Sequence, residues 1–120
     1  MGEFGFNRRL RITSPADYQR VFSKPIKSGS SAFTVLAKQN NLQQPRLGLA
    51  IAKKHMRRAV DRNRIKRQIR ESFRLYKDTL PAVDVVVLAK HQTNKKTNTE
   101  LANMLNDHWQ KLVKQCAKFS

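Results

Sequence analysis

Cationic residues crowd one stretch of this sequence, residues 53–74, in which only Asp61 and Glu71 carry negative charge. Five of the cations recur every four residues and would line one face of a helix as a ridge: Arg58, Arg62, Lys66, Arg70 and Arg74. Like charges at this spacing repel each other by about 0.2–0.5 kcal/mol per pair. A solvated helix face usually mixes the two signs, whereas this one does not. The spacing therefore predicts a binding surface for a polyanion.

The same stretch carries an apolar stripe at helical spacing. Ile65, Ile69, Phe73 and Tyr76 fall at positions i, i+4, i+8 and i+11. This pattern is typical of a helix that packs one face on a core. We therefore expect the stripe to be buried and the cations to lie on a different face.

Residue types that carry out catalysis are present but form no recognisable set. The eight acidic residues include no tight pair of the kind that a two-metal nuclease places on one element. His55, His91 and His108 show neither metal-ligand spacing nor an obvious nucleophile partner, and Cys116 is the only cysteine. The isolated glycines form no phosphate-binding loop. We predict no catalytic residue and no metal ligand in this chain, and we assign the histidines to the surface or to packing.

Aromatic residues offer a different chemistry, because RNA bases stack on exposed rings with about 1–3 kcal/mol each. Tyr18 and Phe22 lie one helical turn apart, close to the start of the chain. Phe73 belongs to the apolar stripe and is expected in the core. For Tyr18 and Phe22 the sequence leaves both a core role and a base-stacking role open.

Composition narrows the class of partner. The chain has 120 residues, 39% of them hydrophobic, and a formal net charge of +17. This length predicts one folded domain over residues 1–120. The charge makes nucleic acid the first candidate partner and an anionic membrane the second. No apolar run approaches the roughly 20 residues that span a bilayer, and we expect no secretion signal. A single cysteine fits a reducing cytoplasm.

The elements that must position these residues follow in order. Residues 1–12 are predicted to form a basic extended arm, and the sequence leaves open whether residues 1–4 are a cloning remnant. Ser14 or Thr13 would cap a short helix that ends near Ser23. The other predicted elements are a turn-rich segment at 27–31, strands at 32–38, 46–52 and 82–89, a hairpin loop at 39–45, helices at 59–78 and about 97–116, and a basic loop at 90–96.

Two details of these elements concern packing. Gly48, Ala50 and Ala52 occupy one face of the second strand and leave room for a helix or a ligand backbone to approach closely. The buried stripe of the last helix is predicted at Leu101, Leu105, Leu112 and Cys116, with Met104, Trp109 and Val113 beside it. The strand before and the strand after the basic helix would form a β-α-β crossover.

Several segments resemble the protein subunit of bacterial ribonuclease P. The most specific segment is RNRIKRQIRESFR, Arg62 to Arg74, which is preceded by GLAIAKK, Gly48 to Lys54. The segments RLRI, DYQRVF at Asp17 to Phe22, and VVVLAK at Val85 to Lys90 extend the likeness over most of the chain. The resemblance implies an α/β (α+β) two-layer sandwich with three helices and a mixed sheet of three to four strands, in the order αβββαβα. It also implies a left-handed β-α-β crossover, against the general rule.

The resemblance implies a function as well. An RNA subunit with bound Mg²⁺ would hydrolyse precursor tRNA, and the protein would assist without being a nuclease itself. The residues that match the family motif for the RNA subunit are Arg62, Asn63, Arg64, Lys66, Arg67 and Arg70. The basic stretch just before them adds Lys53, Lys54, Arg57 and Arg58 to the predicted RNA-subunit surface. Tyr18 and Phe22 match the family's aromatic pair that would bind the single-stranded 5′ leader. We add Phe33 and Lys90 as further candidate leader-binding residues, which do not come from the family motif. Family members more often carry Phe where Tyr18 stands, so the ring is kept. No membrane and no obligate protein partner are expected.

Other classes of protein share parts of this pattern. A ribosomal protein or an RNA chaperone would have similar charge but would need no leader cleft. A DNA-binding regulator would place the basic helix in a major groove, yet no helix-turn-helix spacing precedes that helix. A protein-only nuclease would require a carboxylate cluster that the sequence lacks.

Overall fold

The computed structural model describes residues 10–51, 54 and 56–116. The described chain forms three α-helices, α1 (Pro15–Phe22), α2 (Ala59–Tyr76) and α3 (Asn98–Cys116). Four strands form one sheet: β1 (Ile26–Gly29), β2 (Phe33–Gln39), β3 (Arg46–Ala50) and β4 (Val83–Ala89). A short 3-10 helix follows β4 at His91–Lys95. The predicted order αβββαβα and the mixed α+β class are confirmed.

The sheet has the strand order β1-β2-β4-β3. β1 pairs antiparallel with β2 and β2 antiparallel with β4, whereas β3 and β4 run parallel. The predicted β-α-β crossover is therefore the unit β3-α2-β4, and it places the basic helix next to the edge strand β3. The hand of this crossover stays a prediction.

Two local predictions are wrong. Residues 39–45 were expected to form a hairpin loop, but β4 lies between β2 and β3, so this loop passes across the end of β4. Residues 27–31 were expected to be a turn-rich segment, but Ile26–Gly29 pairs with β2 as a strand. Both errors concern strand pairing, which local turn propensity does not reveal.

The larger core lies between one face of the sheet and helices α2 and α3. Ile65, Ile69 and Phe73 of the predicted apolar stripe are fully buried there, and Tyr76 packs at its margin. Leu101, Leu105, Trp109 and Leu112 of α3 are also fully buried, while the side chain of Cys116 lies outside the described part of the chain. β4 is buried on both faces, as its nearly continuous apolar sequence predicts.

The opposite face of the sheet is covered only in part. Val21 of α1 packs there against Leu36, Val86 and Ile12. Ser14 caps α1 through a hydrogen bond in which the Ala16 N–H donates to the Ser14 hydroxyl at 3.2 Å. Because α1 has only eight residues, it leaves the rest of this face uncovered. Thus the fold itself provides an open strip of sheet beside α1.

Candidate RNA interface

Helix α2 separates apolar and cationic residues onto different faces. Its apolar stripe faces the core, while Asn63 and Arg67 are exposed. Arg57 and Arg58, just before the helix, are exposed as well. Among the described residues, no acid forms an ion pair with Arg57, Arg58 or Arg67. These side chains are therefore available to phosphate groups, which they can bind through charge-assisted hydrogen bonds.

Other cations of the predicted set already hold partners within the chain. The Arg62 guanidinium donates to the backbone carbonyls of Met56 at 3.0 Å and Arg57 at 2.8 Å, which fastens the segment that enters α2. The Arg64 guanidinium donates to Asn98 Oδ1 at 2.7 Å and to the Lys96 carbonyl at 3.2 Å. Arg64 thus links α2 to the start of α3. A guanidinium has five N–H donors, so each side chain retains donors for a phosphate.

A cleft of about 260 Å³ opens where the edge of β3 meets α2. Three cations line it without an acid among its described lining residues: Arg11, Lys66 and Arg70. Tyr18 and the edge of β3 complete the wall. Residues 11 and 12 run along this edge, since Arg11 forms a parallel bridge with Leu47 and the Ile12 N–H donates to the Leu47 carbonyl at 2.9 Å. Residues 1–9 of the predicted arm lie outside the described residues.

Tyr18 occupies a defined position in this cleft. Its hydroxyl accepts a hydrogen bond from the Leu49 N–H at 3.3 Å, and its ring lies against Gly48. The small face of β3 was predicted to admit a close neighbour, and this neighbour is Tyr18. Lys66 and Arg70, predicted to contact the RNA subunit, therefore meet Tyr18, predicted to contact the leader, in a single cleft.

A second and wider cleft, of about 660 Å³, lies on the open strip of the sheet. Its floor includes Ala50 and Leu88, and Thr34 and Lys90 stand at its sides. The Lys90 ammonium donates to the Ser30 carbonyl at 2.7 Å, which fixes this cation at the end of β4. Leu49 lines both clefts, so they form adjoining parts of one surface.

The remaining predicted residues divide into three groups. Phe22 is 47% exposed on α1, although it does not appear among the described residues that line either cleft. Phe33 is fully buried in the larger core, so its ring has no face to offer a base, and its prediction as a leader-binding residue is wrong. Lys54 is exposed in a turn, whereas Lys53 lies outside the described residues.

Sequence reasoning missed the cluster that anchors α1. Asp84 is fully buried at the start of β4 and binds the guanidinium groups of Arg20 and Arg46. The Arg46 guanidinium donates two hydrogen bonds to the Asp84 carboxylate, from Nε at 2.8 Å and from Nη2 at 2.6 Å. This carboxylate raises the pKa of Arg46. Asn40 also donates to Asp84, at 3.0 Å. An acid within an otherwise apolar strand was the signal that could have indicated a buried ion pair.

The described part of the chain contains no group of three His, Cys, Asp or Glu side chains placed to hold a metal ion. It also contains no helix that is both long enough and apolar enough to cross a bilayer. The arrangement that it does contain combines exposed cations, the Tyr18 ring packed against Gly48, and an open strip of sheet.

Comparisons with known proteins indicate the family to which this chain is related. The family model for ribonuclease P matches residues 6–113. The ribonuclease P protein component of Nitrosococcus oceani is 48% identical over 117 residues, which cover 98% of each chain. The same component from Haemophilus influenzae is 44% identical over 118 residues, covering 98% of this chain and 99% of that one.

A solved structure agrees with these sequences. It is that of a Staphylococcus aureus RNase P protein mutant with defective mRNA degradation activity, which matches with a TM-score of 0.81 and 33% identity over 89% of this chain and 90% of that chain. The matched range and the shared fold lead to one conclusion: the chain belongs to the ribonuclease P protein family.

Proposed function

We propose that this chain is the protein subunit of ribonuclease P, part of a cytoplasmic endoribonuclease that removes the 5′ leader from precursor tRNA. The observation that carries the proposal is the cleft in which Tyr18 meets the cations Lys66 and Arg70. Such a cleft can bind a nucleotide by its base and its phosphate together. The family membership identifies the RNA partner that this surface would serve.

The basic helix is the surface for the RNA subunit. Folded RNA presents phosphates and 2′-hydroxyls more readily than base edges, so charge and shape decide how it is bound. Exposed Arg57, Arg58 and Arg67 can meet such a backbone without first breaking an ion pair to a described acid. Hydrolysis is assigned to the RNA subunit and the magnesium ions that it holds. By neutralising phosphates, the protein would lower the magnesium concentration that the complex needs.

The two adjoining clefts are the path for the leader. A single strand of RNA could stack a base on Tyr18 and continue over the open strip of sheet toward Lys90. The floor of the wider cleft offers apolar surface and few hydrogen-bond donors, so it suits bases of any identity. Phe22, half exposed on the same helix as Tyr18, would lie beside this path.

Reconstitution tests the proposal directly. Purified protein, the cognate RNA subunit and a precursor tRNA are combined at low magnesium, next to reactions that contain protein alone or RNA alone. We expect leader removal to be rapid only in the complete reaction. Robust magnesium-dependent cleavage by protein alone, or no gain from adding protein to the RNA, would contradict the proposal.

The leader path has a separate test at Phe22. Phe22→Ala should weaken binding of precursors with several leader nucleotides by about 1–3 kcal/mol, because a stacking ring is lost. Mature tRNA should be bound as before. Leu42→Ala is a matched control, since Leu42 is 48% exposed but lies in the loop between β2 and β3. A loss that does not depend on leader length would remove Phe22 from the leader path.

A further inference from the structure

Gly48 packs so closely against Tyr18 that any larger residue at this position would displace the ring. A Cβ atom built at Gly48 would lie 2.7 Å from Cε1 of Tyr18 and 2.9 Å from both Cζ and Oη. Real Cβ atoms essentially never come within 3.0 Å of such a neighbouring atom, so even alanine would force the ring to move. Gly48 lies within β3. Glycine weakens the interior of a strand, and it often marks a site where another group approaches the backbone closely. The reason for glycine here is therefore the space that the ring of Tyr18 occupies.

The ring is held at a second point. The Leu49 N–H, at the outer edge of β3, donates to the Tyr18 hydroxyl at 3.3 Å. Tyr18 also packs beside the cluster of Ile12, Val21, Leu36 and Val86. With its ring against Gly48 and its hydroxyl bound to the strand edge, the remaining exposed part of Tyr18 faces the cleft lined by Lys66 and Arg70.

We propose that Gly48 is a positioning residue of the leader cleft, because it seats the Tyr18 ring close to the sheet and leaves one ring face to a leader nucleotide. This inference rests on the proposed leader binding. A side chain at position 48 would lift the ring off the sheet and into a cleft of only about 260 Å³. The nucleotide would then lose its stacking partner and part of its space, although the fold and the basic helix would be unchanged.

The test uses the full chain reconstituted with its RNA subunit and precursor tRNAs whose leaders increase in length. Gly48→Ala should lower affinity for long-leader precursors by about tenfold, within the range expected for one lost base stack. Affinity for the RNA subunit and for mature tRNA should not change. Gly29→Ala is the matched control, because a Cβ at Gly29 would meet nothing within 4 Å. This variant should bind all substrates like the wild type.

A double-mutant cycle with Tyr18→Leu separates positioning from general damage. If Gly48 acts through the ring, Gly48→Ala should cause no further loss once the ring is absent. Thermal unfolding of each variant shows whether it is folded under the assay conditions. The proposal is overturned if Gly48→Ala binds long leaders normally, if it weakens short-leader and long-leader precursors equally, or if its effect persists in the Tyr18→Leu background.

Failure of leader binding itself gives a different pattern. If the wild type binds long-leader and short-leader precursors alike, or if Tyr18→Leu leaves the leader-dependent affinity intact, the assignment of this cleft to the leader is wrong. If Tyr18→Leu removes that affinity and Gly48→Ala does not, only the positioning role of Gly48 is wrong.

Discussion

The arginines of α2 differ in what their guanidinium groups already bind. Arg64 holds Asn98 and the Lys96 carbonyl, and Arg74 pairs with Glu71, which lowers the pKa of that carboxyl. Arg67 is exposed, and no described acid pairs with it. A side chain with internal partners contributes to the fold as well as to binding. Arg67 is therefore the better residue for measuring RNA contact alone.

Arg67→Ala should weaken binding to the RNA subunit without unfolding the protein. The loss of one phosphate contact should reduce the slope of log K against log salt concentration by about 0.7–0.9. Stability should change by no more than about 0.5 kcal/mol, as for other surface substitutions. Lys111→Ala, at an exposed cation on α3, is the control. If it reduces the slope equally, the interface is not centred on α2.

His108 is a buried residue whose role the sequence did not reveal. Its Nδ1 lies 2.7 Å from the Ser28 hydroxyl and its Nε2 lies 3.0 Å from the Ser30 hydroxyl, so it joins α3 to β1 and to the turn that follows β1. Its ring also meets the edge of Phe33. Burial lowers the pKa of His108 from its usual 6.5, and the charge of Lys111 acts in the same direction, while Asp107 opposes it.

This environment predicts a loss of stability in mild acid. Below its usual pKa of 6.5, the histidine of the unfolded chain takes up a proton that the folded chain resists. The stabilising contribution of His108 is therefore complete above that pH and decreases as the pH falls. Urea unfolding of the wild type and of His108→Gln should show a stability gap that narrows between about pH 7.5 and 5.5. A constant gap would contradict this prediction.

At the scale of elements, the position of α1 depends on one buried carboxylate. Asp84 binds Arg20 of α1 and Arg46 of β3, and Arg20 also donates to the Gln39 carbonyl at 2.8 Å. These contacts fix the helix that carries Tyr18 and Phe22 across the end of the sheet. The cluster thus supports the cleft from a distance, without lining it.

Asp84→Ala should destabilise the protein by about 3 kcal/mol, because it leaves two guanidinium groups without their buried partner. Partial exposure of both arginines keeps this loss near the low end for broken buried pairs. Asp17→Ala is the control: Asp17 contacts the same arginines but is 32% exposed, and about 1 kcal/mol or less is expected. Chemical denaturation measures both. Equal losses would mean that burial of Asp84 does not determine its contribution.

The elements with a strong local pattern were predictable, and those defined by pairing with another strand were not. The stripe of Ile65, Ile69 and Phe73 indicated the helix and its buried face, and the apolar run of β4 indicated a strand buried on both faces. β1 was missed because Lys27–Gly29 has turn-forming composition and becomes a strand only by pairing with β2. The apparent hairpin at 39–45 failed because β4, about 40 residues later, inserts between its arms.

The candidate site was likewise predictable only where a local sequence pattern indicated it. Charge spacing indicated the cationic surface of α2, and the small face of β3 indicated a close neighbour. The sequence did not identify that neighbour as Tyr18, since the contact between Tyr18 and Gly48 joins residues that are 30 positions apart. Phe33 was misassigned because an aromatic residue in a strand has the same local pattern whether its face is buried or exposed.

At the scale of the whole molecule, ion pairs within the chain make the distribution of positive charge over its surface more uneven. Asp84 and Asp17 neutralise arginines at the end of the sheet, and Glu71 neutralises Arg74. The formal net charge of +17 is therefore not spread evenly. Acids that are bound to these arginines cannot compete for the exposed cations Arg57, Arg58 and Arg67.

This distribution predicts a strong dependence of RNA binding on salt. Each phosphate that a cation neutralises releases condensed counterions, which contributes about −0.7 to −0.9 to the slope of log K against log salt concentration. If about six phosphates are neutralised, the slope for binding to the RNA subunit should be about −4 to −5. Filter binding or fluorescence anisotropy over a range of salt concentrations, at constant magnesium, measures it.

The same titration can locate the charges that matter. The exposed cations Arg57, Arg58 and Arg67 should account for much of the slope, so Arg57→Ala with Arg67→Ala should make the slope less negative by about 1.4–1.8. Charges that are paired within the chain should contribute little to this slope. Arg74→Gln should therefore leave the slope nearly unchanged, although it removes the partner of Glu71. A wild-type slope near zero would contradict the electrostatic account of this interface, because shape and stacking alone release few counterions.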